Sequence, residues 1–310
     1  MHTLYARINT GLLVFIALTG IVLVTMLATR AYGGPLDPPG APAPTMKTLQ
    51  QVEPRTPIGQ PASASDFPIQ INAPGSYYFT GNITGVVARD GIVINADNVT
   101  LDLNGFTLLN GGLGFDGIVD GGLPDAWRNL TLRNGTISGW GYGVVSSAVS
   151  STYEDLNISN NTHGLVIGSG SNVRRVVSWN NTGLGLQIFQ GPNAWGSIVE
   201  DSNFSRNTVG IQVEANNVRL HGNIVHSNRQ VGITVDVSRG FNEIIDNSII
   251  GNDGYGVAML ADSFSNVVAG NTLGANTLGP LTDLGRRNHV GSFVVDVSLT
   301  GGNQYSNIVY

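Results

Sequence analysis

The chain is 310 residues long, carries a formal charge of −6 at pH 7, and contains 42 glycines, 31 asparagines, a single lysine (Lys47) and no cysteine. Glycine and asparagine are poor helix formers and good turn formers, which argues against a helical protein. The acidic balance without a basic cluster argues against nucleic acid as a partner, and without disulfides stability must come from a continuous apolar core.

Taken in chain order, the first element is Gly11 to Ala28, "GLLVFIALTGIVLVTMLA", 18 residues without a charge. Preceded by Arg7 and followed by the small residues "AYG", it reads as a signal peptide or N-terminal anchor occupying residues 1–33. Membrane contact is expected only through residues 11–28 if they are retained, and export places the bulk of the chain outside the cytoplasm. Residues 34–65 follow as a proline-rich linker, since Gly33 to Pro61 holds eight of the thirteen prolines and cannot build ladders or helices. Residues 66–310 form the remaining domain, with "GSYYFTGNITG" supplying early strands and "GSFVVDVSLTGGNQYSNIVY" the last ones.

Within that domain the sequence repeats. A glycine followed by an aliphatic residue recurs at Gly91, Gly117, Gly143, Gly164, Gly185, Gly210, Gly232 and Gly256, at intervals of 26, 26, 21, 21, 25, 22 and 24. The alternation in "GIVI", "GLVI", "GLQI", "GIQV" and "GITV" predicts short half-buried strands whose first and third residues after the glycine face inward. Two more short apolar strands follow in each unit. A unit of this length cannot bury its apolar side alone and must stack on copies of itself. Three strands and three turns per unit make one coil of a right-handed single-stranded parallel β-helix, with about eight to ten coils in all. Asn223, Asn247 and Asn271, and likewise Asn228, Asn252 and Asn276, recur at equivalent places and are expected to hydrogen-bond along the stack.

These coils, together with "DPPGAPAPTMKTLQQVEPRTPI" and "DGIVINADNVTLDLNGFTL", resemble exported bacterial β-helix repeat proteins of the pectin-lyase-like superfamily. The resemblance covers Gly75 to Tyr310. It implies an all-β solenoid that deals with polysaccharide, acidic glycans above all, as a binding module, a polysaccharide lyase or a glycoside hydrolase. It supplies no catalytic residues, because neither Gly-His-Gly nor Arg-x-Lys occurs and the repeats contain no lysine. The alternative is a non-catalytic structural or adhesive solenoid at the cell surface.

Candidate chemistry then has to come from the residues. "GGLGFDGIV", residues 111–119, fits the calcium-binding nonapeptide G-G-x-G-x-D-x-U-x, but a lone copy supplies only half a site. Asp116 and Asp120 are therefore candidate ligands of a looser calcium site, and no other cofactor is implied. Counting four beyond the glycine places Glu214 and Asp236 on adjacent coils, about 4.8 Å apart, as a carboxylate pair for acid–base chemistry. Gln187, Gln212 and Thr234 should form an outward polar column beside them. Trp140, Tyr142, Trp179 and Trp195 are candidates for stacking on sugar rings. Arg175 and Arg219 are candidates for holding a uronate, or else for inter-coil ion pairs, Arg219 with Glu243 and Arg175 with Glu200.

Overall fold

The computed structural model describes residues 2–30 (backbone alone at 2–10 and 27–30), 54–110, 115–121, 127–190 and 196–294. The chain divides into two compact units, Met1–Glu53 and Pro54–Tyr310. In the first, an α-helix runs from His2 to Arg30. Its residues 11–26 are exposed, and among the described residues no helix is long and apolar enough to cross a membrane.

The second unit is a solenoid of parallel strands. One sheet has ten strands, from Ile69–Ile71 to Gly279–Asp283, one per coil. The glycine frame sets its register: Ile92, Ile118, Val144, Leu165, Leu186, Ile211, Ile233 and Val257 stand directly above one another. All eight are buried, as are Ile94, Ile167, Ile188, Val213, Val235 and Met259 two residues on. The glycines are required by close approach. A Cβ on Gly91 would lie 2.5 Å from the Gly117 carbonyl oxygen, and one on Gly117 or Gly232 would lie 2.6 Å from that of Gly143 or Gly256. Each anchor glycine thus lets its coil pass against the backbone of the next.

The other strands form a 17-stranded sheet that comprises two columns. Thr131–Ser138 and Thr152–Ser159 are long enough to run through both, while every other strand belongs to one. Strand structure starts at Thr56–Ile58, which pairs with Gly75–Phe79. The solenoid therefore begins before residue 66 and takes in the end of the segment expected to be linker. The strands expected after residue 294 lie outside the described residues.

Asparagine ladders close the turns. The longest runs Asn161, Asn181, Asn207, Asn228, Asn252, Asn276, each side-chain oxygen accepting from the backbone N–H of the asparagine one coil earlier at 2.9–3.1 Å. Asn223, Asn247 and Asn271 repeat the pattern, and a third ladder joins Asn242, Asn266 and Asn288. Buried turn backbone is satisfied in this way by asparagine side chains.

Candidate functional site

On the outer face of the ten-stranded sheet, the residue just before each anchor glycine forms a column. In the first four coils with an anchor these residues are Asp90, Asp116, Tyr142 and His163, all half-buried. Each touches the next. The Asp116 N–H donates to Asp90 Oδ1 at 3.0 Å, and the Tyr142 N–H donates to Asp116 Oδ1 at 3.3 Å. Tyr142 and His163 are register partners with rings stacked at 4.6 Å and 14°. Burial, and then the Asp90 charge one coil away, push the Asp116 carboxyl above its ordinary value. Burial lowers the His163 pKa. Its Nδ1 accepts the Leu184 N–H at 3.2 Å, so in the neutral ring the proton sits on Nε2. The site thus presents a carboxyl raised in pKa by burial and by a carboxylate neighbour, beside two stacked rings.

Farther along the same face, Gln187, Gln212 and Thr234 are register partners, the polar column expected from the spacing. Gln187 Nε2 and Gln212 Nε2 both donate to Glu214 Oε1, at 2.8 and 2.7 Å. Asp236 continues the register beyond Val213 and Val235, but its Oδ1 accepts the N–H of Val237 at 2.7 Å. Glu214 therefore reaches back to the preceding coil, while Asp236 closes its own turn. The carboxylate pair that interacts is Asp90–Asp116.

Other candidates are placed differently. Asp120 is turned away from Asp116, and its two oxygens accept from the hydroxyls of Ser146 and Ser147 and the N–H groups of Ser147 and Ala148, at 2.5–3.2 Å. These donors already hold the Asp120 carboxylate, most of them on Oδ2, whereas Asp116 is tied to Tyr142. Among the described residues no group of three His, Asp or Glu side chains is placed to hold a metal. Trp140 is 2% exposed and donates its indole N–H to the Leu108 carbonyl; it belongs to the core and cannot stack on a sugar. Tyr142 gives one face to His163. Trp179 lies on the 17-stranded sheet beside Ser205, and Trp195 lies outside the described residues. Arg219 pairs with Glu243 at 3.7 Å, as expected. Arg175 does not pair with Glu200, whose register partner is Arg174; it binds Asp155 at 2.7 and 2.9 Å. Neither arginine lies on the face with the carboxylate pair.

Asp90 and His163 escaped the reading of the sequence. The signal was present in "RDGIV", "FDGIV", "GYGVV" and "THGLV": counting one residue back from each glycine, rather than forward, picks out the column.

Over residues 123–273 the chain matches the family model described as right handed beta helix region. Among solved structures it is similar to a variant of the periplasmic alginate epimerase AlgG, with 17% identity and a TM-score of 0.53 over 71% of this chain and 62% of that one. It is similar also to the A-module of the mannuronan C-5 epimerase AlgE6 of Azotobacter vinelandii, with 14% identity and a TM-score of 0.50 over 78% of this chain and 89% of that one. A third likeness is to the enzymatically active domain of bacteriophage CBA120 tailspike protein 2, with 14% identity and a TM-score of 0.54 over 78% of this chain and 42% of that one. The chain thus spans less than two thirds of the AlgG and tailspike chains. At these identities the likeness is one of fold. No curated protein sequence matches the chain.

Proposed function

We propose that this right-handed parallel β-helix binds a polysaccharide outside the cytoplasm, along the outer face of its ten-stranded sheet, and cleaves it by glycoside hydrolysis at Asp90 and Asp116. The observation that carries the reading is the coupled pair itself. Two carboxylates on consecutive coils, one with a raised pKa, are the division of labour that glycoside hydrolysis needs. Asp116, whose carboxyl is raised above its ordinary value, is the group placed to deliver a proton to the glycosidic oxygen. Asp90 supports positive charge at the anomeric carbon, by direct attack or through a water. The Nε2–H of His163 and the Tyr142 hydroxyl orient sugar hydroxyls beside the bond. Export is supported by the apolar segment at residues 11–28. Glycan as the ligand accords with the polysaccharide named for the epimerase neighbours.

The test is release of reducing ends from a broad polysaccharide panel by the full-length chain. Asp116→Asn is expected to lower turnover about 10²- to 10⁴-fold, the usual worth of a general acid. Turnover in the unaltered chain should fall as pH rises through the Asp116 pKa. A panel without turnover favours the adhesive solenoid, and turnover unaffected by Asp116→Asn removes the pair from the chemistry.

A further inference from the structure

We infer that the polymer recognised on this face is uncharged and hydroxyl-rich, and that Glu214, oriented by Gln187 and Gln212, is the residue that selects it. This rests on the reading of that face as a glycan site and names its substrate class. The first observation is the distribution of cations. None of the ten strands of this sheet contains an arginine or lysine. Arginines occur in the adjoining turns, Arg206 and Arg287 among them, and four of them bond protein, Arg286 by pairing with Asp262. Arg89 donates to the Phe67 carbonyl, Arg229 to the Asn181 carbonyl and Arg239 to Gln190 Oε1. A uronate needs a guanidinium fork or an ammonium to replace the water its carboxylate loses, and here it would meet Asp90, Asp116, Glu214 and Asp236. Like charges brought together without water are repelled.

The second observation concerns which polar atoms remain free. Both glutamine amides spend an N–H on Glu214 Oε1. Glu214 Oε2 and the two glutamine carbonyl oxygens accept no hydrogen bond among the described residues, with Gln187 one coil from Gln212 and Glu214. Sugar hydroxyls are donors and match such an array. Carboxylates are acceptors only and do not. Held from two coils, Glu214 is pre-organised before the ligand arrives, which lowers the ordering cost of binding.

The experiment measures binding of the full-length chain, in mild detergent, to immobilised neutral glycans (β-glucan, galactan, xylan, mannan), polyuronates and chitosan, at low and high salt, with calcium and with a chelator. The expected result is retention on at least one neutral glycan, insensitive to salt and chelator, and no comparable retention on polyuronates. Glu214→Gln should weaken the neutral ligand about tenfold, because a strong acceptor becomes an amide, with the melting transition unchanged. Polyuronate binding equal to neutral binding, with or without calcium, overturns the inference and leaves the glycan reading standing. Retention on chitosan alone also overturns it, since bulk negative charge would then be the determinant. Silence on every glycan overturns both readings.

Discussion

The two outer faces of the solenoid handle charge in opposite ways. In a parallel stack, equivalent residues of successive coils stand about 4.8 Å apart, so any charge is set beside its counterpart in the next coil. On the 17-stranded sheet the register column reads Asp102, Arg133, Glu154, Arg174, Glu200, alternating in sign. Arg133 binds Asp102 at 3.1 Å and Arg174 binds Glu154 at 2.5 Å. On the ten-stranded sheet Asp90 stands beside Asp116, and burial together with the Asp90 charge raises the Asp116 pKa. The first face settles its electrostatics within the protein. The second retains unrelieved charge and free acceptors, which is where a ligand has something to contribute.

The largest expected effect comes from making the first face resemble the second. Arg133→Glu would set three acids in succession, with Asp102 and Glu154 only 6% and 8% exposed. Removing the partner of a nearly buried carboxylate is strongly destabilising, and the half-exposed arginine discounts that to about 3 kcal/mol. Urea unfolding measures it. An unchanged midpoint would mean that the alternating column contributes nothing to stability, and the contrast between the faces would lose its energetic meaning.

The contrast was only partly legible in the sequence. The glycine frame and its inward aliphatics could be read because a carbonyl one coil away forbids a Cβ, so the constraint is local and recurs. The Gln187–Gln212–Thr234 column followed from the same count. The partners of Glu214 did not, since a flexible side chain chooses between the coil ahead and the coil behind, and register is silent on that choice. Arg175 was misassigned for a backbone reason. Its φ of 52° turns it at the corner toward Asp155, leaving Arg174 to face Glu200. Trp140, set among glycines in "SGWGYG", reads as an exposed turn aromatic. It is buried because Gly91 and Gly117, in the two preceding anchor coils, leave room for its ring, each with a would-be Cβ only 3.1 Å from it. That vacancy is a tertiary fact distributed over three coils.

A second test relieves the charge on the ten-stranded face. Asp90→Asn keeps an oxygen to accept the Asp116 N–H but removes the neighbouring charge. The Asp116 pKa should move down toward the ordinary aspartate value of 3.8, because one cause of its elevation is gone. The sign for stability follows by linkage. A carboxyl whose pKa is raised on folding binds more protons folded than unfolded, so its contribution is present at low pH and is lost as pH rises through the raised pKa. In Asp90→Asn that loss should shrink, leaving the variant more stable near neutral pH by about 0.5–1 kcal/mol while turnover collapses. Carboxyl NMR titration and thermal melts measure the two halves. An unmoved Asp116 titration would show that burial alone holds it up and would dissolve the pair.

The smallest effect on stability should come with the clearest change of ligand. Thr234 lies on the outer face between Gln212 and Ala258, half-buried and in a strand of three residues. Thr234→Arg would place a guanidinium in the strip, within reach of Glu214 and Asp236, at a position whose threonine packs no core. The lost β-branch and the new ion pair are each worth a few tenths of a kcal/mol, and they oppose each other. Stability should therefore change by less than about 0.5 kcal/mol. Binding should change far more, because the face would then own the cation a uronate requires. If the strip excludes polyuronates for want of a positive charge, this variant gains measurable, salt-sensitive polyuronate binding. Were it to stay as indifferent to polyuronates as the unaltered chain, shape would be the selector, and the charge contrast between the two faces would concern folding alone.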